Sequence, residues 1–343
     1  MSSTSSSITR PSVDVQASRP RVPISLTHVG VSDSEKVIRL ETPTGEQRFS
    51  ATFACSIELG GDQKGAHMSR FEEVVNDAIG EVVLGGSAPR AEQLAAQIAE
   101  VVRERQHARR AEVSLLARYP EHKPAPISGI ETQEIYTLLA TAAASDRGTR
   151  RIIGVQAQGM TACPCAQGLV QDSARELLLA DGFDESQIER IFQAVPVATH
   201  NQRGLGTLEL GLPEGVELDL NASVLVSIVE ASMSSEIFEL MKRSDEGAVV
   251  ERAHRNPRFV EDCVRETIAG VIARLPQLGD DTWLHARQQN LETIHQHDVT
   301  ASRTGLLGEL RAEARGDAAV PAQHLSREAW LAGGADRIAA GAD

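Results

Sequence analysis

Apolar and polar positions alternate along residues 48–59, the pattern of a strand with one buried face, and residues 37–42 form a second extended segment. The pair predicts a hairpin with Pro43-Thr44-Gly45 in its turn. The period then changes. Over residues 69–83, Phe71, Val74, Val75 and Ile79 recur at helical spacing, and a second helix is expected over 90–104, with Pro89 at its entry. Extended segments return at 111–118 and 131–143, so strands, two helices and strands make one compact unit.

The same order recurs more loosely downstream. A strand is expected at 149–157, a helix-rich insertion from 166 to 194, a strand at 207–211, helices at 221–231 and 257–275, and strands at 282–290 and 293–301. The halves share the pattern without visible sequence identity. The expected fold class is therefore α+β, with two tandem units, each an antiparallel sheet backed by a helix pair. They span 23–125 and 126–305, the second carrying a helical insertion over 166–200. Residues 1–22 start Ser-rich, lack the apolar core of a signal peptide and read as a disordered arm. Residues 306–343 read as a flexible tail in which 326–338 can form a short helix capped by Ser326.

Composition removes whole classes of function. With 3% aromatic residues and a net charge of −14, the chain offers neither stacking platforms nor a basic stripe, so a nucleic acid polymer is excluded as partner. No run approaches the ~20 apolar residues of a membrane span. Of 34 basic residues, only Lys36, Lys64, Lys123 and Lys242 are lysine. Acidic excess with depleted lysine fits a salt-loaded, halophilic cytoplasm, and a GC-rich genome is the other source of an Arg preference. Four cysteines in 343 residues make no disulfide framework, so the thiols are expected reduced and the protein cytoplasmic.

Candidate chemistry centres on Gly159-Met160-Thr161-Ala162-Cys163-Pro164-Cys165-Ala166-Gln167. Pro164 fixes its own backbone and keeps Cys163 extended, which points the two sulfurs differently and leaves one to ligate while the other works nearby. Two buried inert thiols are the bland alternative, which the flanking Thr, Pro and Gln weaken. His200-Asn201-Gln202-Arg203, Ser234-Ser235-Glu236 and Glu292-Thr293-Ile294-His295-Gln296-His297 add imidazole and carboxylate. With the thiolate these form the ligand set of a catalytic zinc or ferrous centre. In a strand, His295 and His297 share a face while Glu292 opposes them, unless the chain turns at Thr293.

Taken in order, five segments resemble the type IB GTP cyclohydrolases over roughly residues 23–300: Lys64-Gly65-Ala66-His67-Met68-Ser69-Arg70-Phe71, Cys163-Pro164-Cys165, His200-Asn201-Gln202-Arg203, Asn256-Pro257-Arg258-Phe259-Val260-Glu261-Asp262 and Glu292-Thr293-Ile294-His295-Gln296-His297. The fuller segment from Gly159 to Cys165 and the long insertion before His200 are closer to the archaeal branch, the iron-dependent enzymes of methanopterin biosynthesis. The resemblance implies the tunnelling fold (T-fold), two units per chain, and a homodimer or homotetramer with active sites between subunits. It implies GTP as substrate and Cys163, His200 and Glu236 as ligands of Fe(II), with Mn(II) or Zn(II) as substitutes. Three ligands of mixed softness leave a position open for a water that the metal acidifies.

Water then attacks C8 of guanine, the imidazole ring opens and C8 leaves as formate, with Glu292, His295 and His297 implied as proton carriers. Cys165 is a second catalytic thiol or a partner of bound water. Glu251 is implied to hold the guanine N1 and N2 hydrogens, Arg203 the phosphates, and His67 and Arg70 contacts across the subunit interface. The archaeal product is 7,8-dihydroneopterin 2′,3′-cyclic phosphate with diphosphate released, the bacterial one the linear triphosphate. A non-catalytic purine- or pterin-binding protein on the same fold is the other-class alternative, for which a closed four-ligand metal site is expected. A queuosine-pathway reductase would need a nicotinamide site that has no counterpart in the sequence.

Overall fold

In the computed structural model the described residues are 14–42, 45–84, 90–216, 220–317 and 324–333. The expected hairpin forms from β1 (Leu26–Thr42) and β2 (Gly45–Leu59), longer strands than the alternation alone marks. Pairing runs from Leu26↔Leu59 to Thr42↔Gly45, with Gly45 at φ +105°. Pro43, Thr44 and Pro89 lie outside the described residues. Helices α1 (Met68–Leu84) and α2 (Ala91–Arg105) follow, then β3 (Arg110–Pro124) and β4 (Glu131–Ser145).

The second half runs β5 (Gly148–Ala162), α3 (Pro164–Ala180), α4 (Glu185–Ala194), β6 (Asn201–Leu212), α5 (Ala222–Ala231), β7 (Ser235–Glu236), α6 (Arg243–Arg255), α7 (Val260–Arg274), β8 (Trp283–Leu291), β9 (Val299–Leu306), α8 (Leu307–Ala314) and α9 (Arg327–Leu331).

Instead of two sheets there is one antiparallel sheet, ordered β1-β2-β3-β4-β5-β6-β8-β9, with the short β7 on β5. The cause is local. Ser145 pairs with Gly148 across a two-residue turn, and Gly148 takes a φ of +113°, open to glycine, as the chain re-enters the sheet. A hairpin that short leaves no room to separate β4 from β5. Likewise β3 and β4 pair from Arg110↔Ser145 to Pro124↔Glu131, across the division drawn at 125/126. The repeat of two strands, a helical segment and two strands therefore closes after Ser145. The strand expected from 293 starts at Val299, because residues 293–297 bend out of the sheet.

Most of the core lies between one face of the sheet and the helices. Phe53, Phe71, Leu94, Ile98, Leu115, Val155, Leu208, Leu225 and Leu284 are all buried there. A second, smaller core holds Ala143, Ile152, Trp283, Leu325, Trp330 and Leu331. Successive strand residues point to opposite faces, so the neighbours Ala142 and Ala143, Ile153 and Ile152, and Leu284 and Trp283 settle where this second core sits. The first of each pair belongs to the main core and the second to the smaller one. Helix α9 thus covers the face of the sheet opposite the helix layer.

The chain end expected to be flexible therefore holds α8 and α9, and two tryptophans far apart in sequence explain why. Trp330 and Trp283 stack with ring centroids 6.1 Å apart, and neither has exposed surface. Trp283 Nε1 donates to the Leu325 carbonyl at 2.8 Å and Arg110 to that of Leu331 at 3.0 Å. Gly211 makes room for the contact, since a Cβ there would fall 2.8 Å from the Trp330 ring. Ser326 caps α9 as expected, accepting from the Ala329 N–H; residues 334–338 of the expected helix lie outside the described residues. At the other end, residues 1–13 of the expected arm also lie outside them. The remainder is tied down, Gln16 and Ser18 accepting from the Lys64 N–H at 3.1 and 2.8 Å.

Trp330→Ala should cost about 3–5 kcal/mol, the range for emptying a buried aromatic site. Equilibrium denaturation measures it, and an unchanged midpoint would mean that α9 is not docked in solution.

Candidate active site

The register of β5 and β6 builds the centre of the site. Gly159 pairs with Gly204, Thr161 with Gln202 and Ala162 with Asn201. One rung further, the Cys163 N–H donates to the His200 carbonyl at 3.2 Å, so the thiol and the imidazole come from directly opposed positions. The whole α3–α4 insertion is an excursion between these two residues. Its return is fixed by the Thr199 hydroxyl donating to the Cys163 carbonyl at 2.9 Å, and by the Gln167 amide donating to the carbonyls of Val197 and His254 at 2.7 Å.

On β6 and β8 the pairing Arg203↔Leu291 brings Glu292 opposite Gln202. Opposed residues of an antiparallel pair share a face, as do residues two apart along a strand. Cys163, His200, Gln202 and Glu292 thus project together, on the helix-bearing side with Leu208, Leu210 and Leu284. A cavity of about 450 Å³ opens here, lined by Cys163, His200, Gln202, Glu292, His295 and His297 together with Arg258, Phe259 and Glu261. Because the chain turns at Thr293, Glu292 faces the same cavity as both histidines. His295 and His297 stack at 5.1 Å on its exposed side.

Within the cavity, His200 Nδ1 lies 3.1 Å from Gln202 Oε1, and Gln202 Nε2 donates to Glu292 Oε1 at 3.2 Å. Glu292 Oε2 sits 3.7 Å from His200 Nδ1 and, among the described residues, is buried without a hydrogen-bond partner.

The other expected ligand, Glu236, sits on β7 opposite Gly159, two side-chain periods before Cys163 on the same face. Its carboxylate meets Lys123 Nζ at 2.8 Å. That ammonium also holds both oxygens of buried Glu230 at 2.9 Å, and Tyr136 donates to Glu230 at 2.9 Å. Burial outweighs these partners and raises the Glu230 pKa. Among the described residues, no three His, Cys, Asp or Glu side chains are gathered closely enough to hold a metal ion. The thiol, imidazole and carboxylate lining the cavity, with one carboxylate oxygen left bare, are nonetheless donors that suit Fe(II) or Zn(II).

The remaining expected residues stand apart from this cavity. Cys165 is exposed on the first turn of α3, while Cys163 is the N-cap of that helix. Arg203, odd where His200 and Gln202 are even, projects from the opposite face. Glu251 is exposed on α6 and pairs with Arg255 at 2.8 Å. In the first half of the chain, His67 Nε2 meets Asp14 at 3.3 Å and Arg70 donates to the Arg105 carbonyl at 3.1 Å. The other two cysteines are structural: burial pushes the thiols of Cys55 and Cys263 up to about 12, out of reach as thiolate ligands. Gln202, Lys123 and Glu230 are the polar residues that sequence reasoning left unassigned. Strand alternation counted from His200 would have singled out Gln202.

Comparison with known proteins agrees over most of the chain. A family model described as type I GTP cyclohydrolase folE2 matches residues 13–301. The GTP cyclohydrolase MptA of Methanococcus aeolicus is 41% identical over 310 residues, covering 88% of this chain and 98% of that protein. That of Methanosarcina acetivorans is 38% identical over 310 residues, covering 88% and 96%. Among solved structures, uricase from Arthrobacter globiformis superposes with a TM-score of 0.48 at 7% identity, covering 82% of this chain and 93% of that one. The family match takes in every residue lining the Cys163 cavity, and the chain belongs to the type I GTP cyclohydrolase family.

Proposed function

We propose that this enzyme is a metal-dependent GTP cyclohydrolase of pterin biosynthesis in the methanopterin branch. It opens the guanine imidazole ring by hydrolysis at C8, releases formate, and yields 7,8-dihydroneopterin 2′,3′-cyclic phosphate with diphosphate. One observation carries the reading: a thiol, three imidazoles and a buried carboxylate line a single cavity, more acid-base capacity than purine binding needs. Cys163 and His200 are the inner metal ligands. Glu236 serves as the third through the oxygen that Lys123 does not take. Fe(II) is the native ion and Mn(II) or Zn(II) substitute for it. Bound there, the metal supplies an acidified water at neutral pH.

The protein's own residues do the rest. Glu292, held by Gln202 and half a hydrogen bond short, accepts a proton from the attacking water. His295 and His297, at the cavity mouth, protonate the departing ring nitrogen and return protons to solvent. Glu251 holds guanine N1 and N2, and Arg203 the phosphates. Neither lines the cavity of its own chain. Together with His67 and Arg70 they act in a homodimer or homotetramer of two-unit T-fold subunits, where a neighbouring subunit completes each site.

Incubating anaerobically purified protein with GTP and Fe(II), then separating products by mass, tests the reaction; the cyclic phosphate is expected, and the linear triphosphate would place the enzyme with the bacterial branch. Cys163→Ala should lose metal and activity together, and a variant that keeps its full metal content would remove Cys163 from the ligand set.

His295→Ala and His297→Ala should retain metal while turnover falls at least about a hundredfold, the scale of general acid-base contributions. Loss of metal in either variant would make that histidine a ligand and end its role as proton carrier.

A further inference from the structure

Gln202 has 6% of its surface exposed and sits between the imidazole of His200 and the carboxylate of Glu292. The amide nitrogen faces Glu292 and donates to its Oε1 at 3.2 Å. The amide oxygen then faces His200 Nδ1 at 3.1 Å and can only accept, so Nδ1 must carry the ring proton. Glu292 Oε2, 3.7 Å from the same nitrogen, favours the same protonation. The imidazole is left with its lone pair on Nε2.

We infer that Gln202 is a positioning residue: it locks His200 in the Nδ1–H tautomer, reserving Nε2 as the metal-binding nitrogen, and with its other end orients Glu292. This rests on the reading that His200 is a metal ligand. A ligand histidine is ordinarily fixed by a carboxylate or backbone carbonyl behind it. Here an amide does the same work and couples the ligand to the proton acceptor, so one side chain aligns both halves of the chemistry. A hydrophobic residue at 202 would leave the ring free to take either tautomer and free to rotate.

Nitrogen-15 NMR of histidine-labelled, metal-free protein reads the tautomer directly, and His200→Ala assigns the signal. The wild type should show a protonated Nδ1 and an unprotonated Nε2 at His200. Gln202→Met, close in length and without hydrogen bonds, should give a tautomer mixture and weaken Zn(II) binding about 10- to 100-fold, measured against a chromophoric chelator. Gln202→Glu keeps an acceptor facing His200 while removing the donor to Glu292, and should hold Nδ1 protonated where Gln202→Met does not, which a purely structural role would not do. An Nε2–H tautomer in the wild type overturns the inference. Unchanged tautomer and Zn(II) affinity in Gln202→Met overturns it as well. Full Zn(II) affinity in His200→Ala would instead remove the ligand reading, whatever the tautomer shows.

Discussion

The antiparallel register between β5 and β6 is the constraint on which the site depends. A one-residue slip would turn Cys163 and His200 to opposite faces of the sheet and carry Gln202 away from Glu292. The register is held by more than the ladder. Gly204 and Gly206 leave space for Met233, Gln288 and Val229, where any side chain would collide at 2.9 Å or less. Close packing of α5 and its following turn on these strands therefore excludes slipped arrangements. The site inherits its precision from the core beneath it.

Lys123 adds a second constraint. It is one of four lysines in the chain and is spent between two carboxylates, with its ammonium 4.5 Å from the Phe238 ring centroid. Such a partly desolvated ion pair is weak ground for net stability, but it fixes where the Glu236 carboxylate can point. Asp245 does comparable work at the β3–β4 turn. Burial pushes its pKa up, yet hydrogen bonds from Ser128, Lys242 and Ile127 outweigh that and hold the carboxyl well below the usual range. The turn is thereby pinned to the start of α6, whose fourth turn supplies His254 to the loop before His200.

Much of this was legible in the sequence, because period is a local property. Both helix pairs and the long strands announce themselves through the spacing of apolar residues, and the Cys-Pro-Cys, His200 and Glu292 segments through their chemistry. What escaped depends on contacts between distant positions. The merger of two sheets into one rests on the Ser145-Asp146-Arg147-Gly148 turn, whose residues mark a reversal but not which strands share a sheet. The docking of α9 rests on Trp330 finding Trp283. Gln202 escaped for a different reason: charge drew the eye to Arg203, although alternation from His200 already placed the amide on the same face as the imidazole and the guanidinium on the other.

Helix α9 touches strands from both repeats, through Arg110 on β3 and Thr141 on β4 in the first and Trp283 on β8 in the second. It lies beyond residue 301, where the family match ends. The chain is made from its amino terminus, so the helix-side core has all of its residues available before the opposite face has its last partner. Until Trp330 has been synthesised, Trp283 and Ile152 remain in water on an otherwise complete sheet. The two faces of the sheet are thus closed in chain order, the helix side by residues up to Leu310 and the opposite face only once Trp330 docks on Trp283.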